Sequence, residues 1–219
     1  MRFENTSVYN IYNAILGARN PMNSWNRSDS IFNGFNGKIE NTIIGHNDLE
    51  LAQKLIKAGS EHRKFLRQIF VATDITAPLF FFKEFDTYKV GTVANSTSTM
   101  HKLASTPITI DCFEMDDFQD FDLESQDMIF PLKSTWESLI SDLEFCRQKY
   151  NGTKDKRYWK ELIRLLPESW LQTRTVTMNY ENLFNMYHQR KNHKLTEWSV
   201  KFKEWVKSLP YAEELIIGE

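Results

Sequence analysis

Between Ile69 and Phe85 the chain has the least freedom in what it can become. Ile69 to Ile75 reads as a buried strand, and Ala77 to Phe85 follows at once as a strongly apolar stretch. Pro78 stands where a helix tolerates proline, in its first turn, so the spacing predicts a helix opening there. A buried strand feeding an apolar helix needs a core to receive it. The composition supplies one, because 41% of the 219 residues are hydrophobic and 14% aromatic, enough for one large domain or two small ones.

Around this stretch the other elements are read from periodicity and punctuation. Val8, Ile11, Tyr12 and Ile15 predict a helix over Thr6 to Leu16, and the Asn-, Gly- and Ser-rich run from Asn20 to Gly45 predicts a long loop. Asn47 or Asp48 can cap a helix through Leu51, Leu55 and Ile56 that Gly59 ends. Asp111 to Asp127 is acidic and punctuated by Phe113, Phe118 and Phe121, a pattern that suits a pinned, solvated loop or a partner-binding segment. Leu132 to Tyr150 and Lys156 to Leu166 predict amphipathic helices separated at Asn151-Gly152, the second stopped by Pro167. Thr173 to Tyr180 alternates as a strand does, and Glu181 to Arg190 and Leu195 to Leu209 predict further helices. Helices dominate and the strands do not alternate with them regularly, so the expected class is α+β, in a single domain spanning 1–219.

Charge and cysteine usage narrow the functions. With 27 basic and 29 acidic side chains the net charge is -2, which argues against a nucleic-acid partner while leaving room for a local anion site. The two cysteines, Cys112 and Cys146, have no partner at metal-ligand spacing, so no metal is expected. No secretory leader or membrane-length apolar run is present, and the expected location is cytoplasmic. No phosphate-binding glycine loop, nucleophile elbow or His-Glu-x-x-His pattern occurs.

Two segments carry a family resemblance. The first is Leu55-Ile56-Lys57-Ala58-Gly59-Ser60-Glu61, then Phe65, then Ile75-Thr76-Ala77-Pro78-Leu79-Phe80. The second is Leu166-Pro167, then Thr177-x-Asn179, then Leu183-x-Asn185 and Arg190. In order and spacing they resemble the flavin-dependent thymidylate synthases, over roughly residues 48–102 and 160–206. The chain departs from that family at its Arg-His-Arg signature, which falls on Thr87, Tyr88 and Lys89, and at the preceding Gln, which becomes Glu84.

The resemblance implies an α+β fold with helices around a small, mostly antiparallel sheet, FAD as cofactor, and a homotetramer. It also implies reductive methylation of dUMP to dTMP with a reduced nicotinamide cofactor and methylenetetrahydrofolate. The alternative is a catalytically altered nucleotide- or flavin-binding protein of the same fold. Under the resemblance Arg190 and Ser98 are the catalytic candidates. Tyr88, Lys89, Ser96, Asn179 and Asn185 would face the cofactor, and Glu84, Thr87, Ser98, Arg164 and Arg190 the pyrimidine deoxynucleotide. The planar fork of Arg190 suits a bidentate phosphate or uracil carbonyl, whereas Lys89 offers only a point charge. Each residue also has a structural alternative: a surface salt bridge for Arg190, a helix N-cap for Asn179, and caps of a helix near Met100 for Ser96 and Ser98.

Overall fold

The computed structural model describes residues 1–116 and 126–218. Its packing divides into two compact units. The larger holds Arg2–Ile75, Glu84–Asn95 and Arg174–Glu219, and the smaller holds Met1, Thr76–Lys83 and Ser96–Thr173.

The strands are β1 (Arg2–Tyr9), β2 (Ile31–Asn36), β3 (Ile39–Ile43), β4 (Phe70–Pro78), β5 (Val93–Ser96) and β6 (Leu171–Asn179). They form one mostly antiparallel sheet in the order β2-β3-β1-β4-β6-β5, as expected for an α+β chain. The expected strand at Ile69 is β4, and the apolar run after it is α3 (Leu79–Phe85), with Pro78 closing the strand just ahead of the helix. Val8, Ile69, Val71, Ile75, Val176 and Met178 are all fully buried in the sheet's core, each contributing about 1.5–3 kcal/mol.

Two expectations fail in the N-terminal region. The predicted helix over Thr6 to Leu16 is strand β1 up to Tyr9 and helix α1 only from Ile11 to Gly17, the two separated by Asn10 at φ 70. Parallel pairing of Val8 with Ile39 overrides the helical spacing there. The predicted loop from Asn20 to Gly45 contains the β2–β3 hairpin, with Phe32 opposite Thr42 and Asn36 opposite Ile39. Gly34 at φ 82 absorbs the register shift between Phe32 and Phe35, and Gly37 at φ 61 makes the turn. Helix α2 (His46–Lys57) does form, but its cap comes from elsewhere: the Asp29 carboxylate accepts the amides of Asn47 at 2.9 Å and Asp48 at 3.1 Å.

In the smaller unit α5 (Gln126–Thr153) and α6 (Lys156–Leu165) pack beside the short α4 (Thr99–Lys102). Leu103, Ile108, Phe113, Leu143, Cys146 and Leu162 form its core, with Trp136 and Trp170 against them. Phe113, near the start of the acidic segment, is buried in this core, while Asp117, Phe118, Asp120, Phe121 and Asp122 lie outside the described residues. The predicted break between the two helices falls just after Asn151-Gly152, at Lys154 and Asp155. Asn151 donates to the Ala104 carbonyl at 2.8 Å, the helix continues, and Lys154 at φ 57 ends it before Asp155 caps α6. No described helix is long and apolar enough to cross a membrane.

Glu144 on α5 accepts from Arg147 at 2.6 and 2.7 Å, from the Ile108 amide at 3.0 Å and from Gln148 at 3.0 Å. Arg147 foremost lowers its carboxyl from 4.5 to about 2. A carboxylate depressed in the folded state adds stability that is fully present above 4.5 and is lost as pH falls toward about 2. Urea titrations should show Glu144→Gln less stable than wild type by about 2 kcal/mol at pH 7, the gap closing on acidification through that window. A gap that stays constant with pH would refute the assignment.

Candidate functional site

Helix α7 (Tyr180–Arg190) organises the candidate site within the larger unit. Asn179 is its N-cap, accepting the Asn182 amide at 2.9 Å, while the Asn182 side chain accepts the Asn179 amide at 3.1 Å. This reciprocal box satisfies two otherwise orphaned donors and fixes how β6 turns into the helix. The structural alternative for Asn179 is thus realised, with its side chain still at the cleft described next.

Asn182 also donates to the Val90 carbonyl at 2.7 Å, which draws the segment after α3 over the helix start. Gly91 there has φ 85, and a Cβ would lie 3.0 Å from both Asn179 Nδ2 and Asn182 Oδ1, so only glycine fits.

A cleft of about 550 Å³ opens at this junction. Arg63, Arg67, Glu181, Gly91, Asn179 and Asn185 line it. Glu181 is 7% exposed and accepts from Arg63 Nε at 3.3 Å and from Arg67. Burial raises its pKa, but hydrogen bonds and charge from Arg67 and Arg63 outweigh that and leave it below the usual carboxylate range. Arg63 reaches on to Asn185 Oδ1 at 3.3 Å, and its guanidinium lies 4.2 Å from the centre of the Phe184 ring. Two guanidiniums against one carboxylate leave a net positive charge in the cleft.

Arg190 closes the other end of α7. Its Nε donates to the Tyr88 hydroxyl at 2.9 Å, and that hydroxyl donates to Gln189 Oε1 at 3.0 Å. Its Nη1 lies 3.0 Å from Glu84 Oε2, and the same oxygen lies 3.2 Å from His193 Nε2. The Leu195 amide donates to His193 Nδ1 at 3.2 Å, which assigns the neutral ring's proton to Nε2, facing Glu84. Trp198 adds an aromatic wall 5.5 Å from the guanidinium. Glu84 Oε2 is closed off from solvent and accepts no hydrogen bond of good geometry, so the nearby Arg190 charge offsets its burial only in part.

The structure thus gathers Glu84, Tyr88 and Arg190 in one cluster and sets Asn179 and Asn185 on one cleft. Thr87 is exposed and turned back on the α3 end, its hydroxyl donating to the Glu84 carbonyl at 2.7 Å. Lys89 is exposed and makes no ion pair with a described residue. Ser96, Ser98 and Arg164 belong to the smaller unit. There Ser96 ends β5, Ser98 caps α4 by accepting the His101 amide at 3.2 Å, and Arg164 pairs with Glu161. Arg63, Arg67, Glu181, His193 and Trp198 had no role in the sequence reading. The four-residue spacing of Arg63 and Arg67 on a turn after Gly59 was their available signal.

The chain has the fold of the flavin-dependent thymidylate synthases. The likeness is to flavin-dependent thymidylate synthase ThyX of Helicobacter pylori, in a structure with FAD and dUMP, at TM-score 0.67 and 16% identity over 99% of this chain and 98% of that one. A second structure of that enzyme with FAD and dUMP gives TM-score 0.67 and 15% identity, covering 99% and 97%. No family model matches the sequence, and no curated protein does.

Proposed function

We propose that the chain binds FAD and a pyrimidine deoxynucleotide on this fold and is a divergent flavin-dependent thymidylate synthase, forming dTMP from dUMP. The observation that carries this reading is α7, which presents Asn179 and Asn185 to an electropositive cleft and Arg190 among aromatic side chains at its end. The residues fit a flavin nucleotide: the cleft has ligand-sized volume, net positive charge for phosphate, amide donors and acceptors, and a glycine that allows close approach. Arg63 and Arg67 would hold phosphate, Asn179 and Asn185 the polar ring edge. Bound flavin would supply the redox chemistry that turns a transferred one-carbon unit into a methyl group. Arg190 would orient the pyrimidine through its carbonyls, and Tyr88 and Trp198 would shield that contact from water. A folate, a nicotinamide cofactor and a homotetrameric assembly in the cytoplasm complete the proposal.

One observation favours a second reading, a binding protein without methyl transfer. Arg190 is already paired with Glu84, and the Arg-His-Arg signature reads Thr87, Tyr88 and Lys89. Purified protein titrated with FAD decides the first point: flavin absorbance that co-elutes with the protein is the expected result, and a protein that takes up no FAD sinks the enzyme reading. Formation of dTMP by the flavin-loaded protein, given methylenetetrahydrofolate and a reductant, then separates them.

A further inference from the structure

Away from α7, helices α1 and α2 and the segment after α1 enclose two adjoining hollows of about 510 and 500 Å³. Both are lined by Arg19, Met22, Ser24 and Leu51, so they meet at these residues. The first continues along an apolar wall that includes Leu55 and Phe65.

Arg19 is the unusual member. It is only 4% exposed, and its Nε donates to Asp48 Oδ1 at 2.5 Å. Among the described residues its two Nη nitrogens make no hydrogen bond or ion pair. Asp48 cannot turn to take them. Its Oδ2 accepts the hydroxyls of Ser28 at 2.7 Å and Ser30 at 2.6 Å, and the amides of Asp29 at 3.3 Å and Ser30 at 3.1 Å. The guanidinium is therefore clamped by one edge, with its Nη pair left over to face the place where the hollows meet.

A guanidinium held in this way has lost its rotamer freedom before any ligand arrives, and its remaining fork matches a planar carboxylate. Asp48 offsets its charge in part, which suits a monoanion better than a phosphate dianion. Leu51, Leu55 and Phe65 supply the surface for an apolar body next to that fork.

We propose that these hollows are a second binding site, for a small aromatic or alkyl carboxylate whose carboxyl group sits on the Arg19 Nη pair and whose apolar body lies along Leu51 and Leu55. This site shares no lining residue with the α7 cleft. Binding there is independent of flavin and nucleotide.

Calorimetric titration with 2-naphthoate and its neutral analogue 2-naphthylmethanol tests the proposal on the whole chain. Wild type is expected to prefer the carboxylate by about tenfold or more, from one charge-assisted fork contact. Arg19→Lys, which keeps the Asp48 pairing charge but not the fork, should erase that preference. Leu51→Trp, which fills the hollow without touching the ion pair, should weaken both ligands. Saturating FAD and dUMP should change none of these values, and inorganic phosphate should not displace 2-naphthoate. Equal binding of the two ligands, no binding by wild type, displacement by phosphate, or competition with FAD would each overturn the proposal. If Arg19→Lys fails to fold, the wild-type preference and the Leu51→Trp result still decide it.

Discussion

Asp48→Ala is expected to cost about 3–5 kcal/mol of folding stability, a large share of what a domain of this size possesses. The substitution removes more than one contact. Asp48 is 1% exposed and gathers Arg19, Ser28, Ser30 and two backbone amides onto its two oxygens. Without it the Arg19 charge stays buried with no counter-ion, and the strap from Ser28 to Ser30 loses its anchor to α2. Gly45 is already pressed against that strap, since a Cβ there would come within 2.2 Å of Asp29 Cγ, so the backbone cannot relax inward. Urea denaturation should show the loss, and Arg19→Met combined with Asp48→Ala should lose less than the sum of the two single changes. Additive effects would mean that the pair is not coupled. Burial raises the Asp48 pKa, but hydrogen bonds from Ser30, Ser28 and Arg19 prevail and leave it lowered. The stability it adds is therefore present above the ordinary carboxylate value and fades as pH falls through the lowered one, so the gap to Asp48→Ala should narrow in acid.

Arg190→Ala is expected to reduce the response of bound flavin to dUMP by about tenfold to a hundredfold in affinity, the worth of one charge-assisted fork contact. Arg190→Lys should recover little, because a single ammonium nitrogen cannot reproduce the planar fork that meets the Tyr88 hydroxyl through Nε and Glu84 through Nη1. The same variant leaves Glu84 Oε2 facing His193 alone, so a modest loss of stability should accompany it. Flavin absorbance difference spectra report the first effect and thermal melting of the flavin-free protein the second. A dUMP response equal to wild type would remove Arg190 from the site, whatever happened to stability.

The parts of the fold that could be read from sequence are those whose signal is local. β4 and α3 follow from a predominantly apolar run, and β6 and α7 from alternation giving way to helical spacing past Asn179. The β2–β3 hairpin was missed although Asn36-Gly37 is a strong turn signal, the two-residue connection itself being Gly37-Lys38. Its strand β2 is half-polar and only becomes a strand by pairing with β3. At Asn151-Gly152 only the boundary moved: the helix, anchored through Asn151 to Ala104, runs on to Thr153 before it ends.

By itself the sequence determined the order of chemical groups along α7, with Asn179, Asn185 and Arg190 in the register of the resembled family and the signature arginines replaced. Only the tertiary structure decided what those groups meet. Tyr88 reaches Arg190 across 102 positions, and Arg63 reaches Glu181 across 118. A side chain's charge can be read at its own position, but whether that charge is spent depends on partners within a few ångströms and on the water they exclude. Distance and burial of that kind exist only once the chain has folded. The Thr87-Tyr88-Lys89 stretch is the clearest instance. Its letters record the loss of two arginines, and the fold turns its tyrosine onto the one arginine that remains at the end of α7.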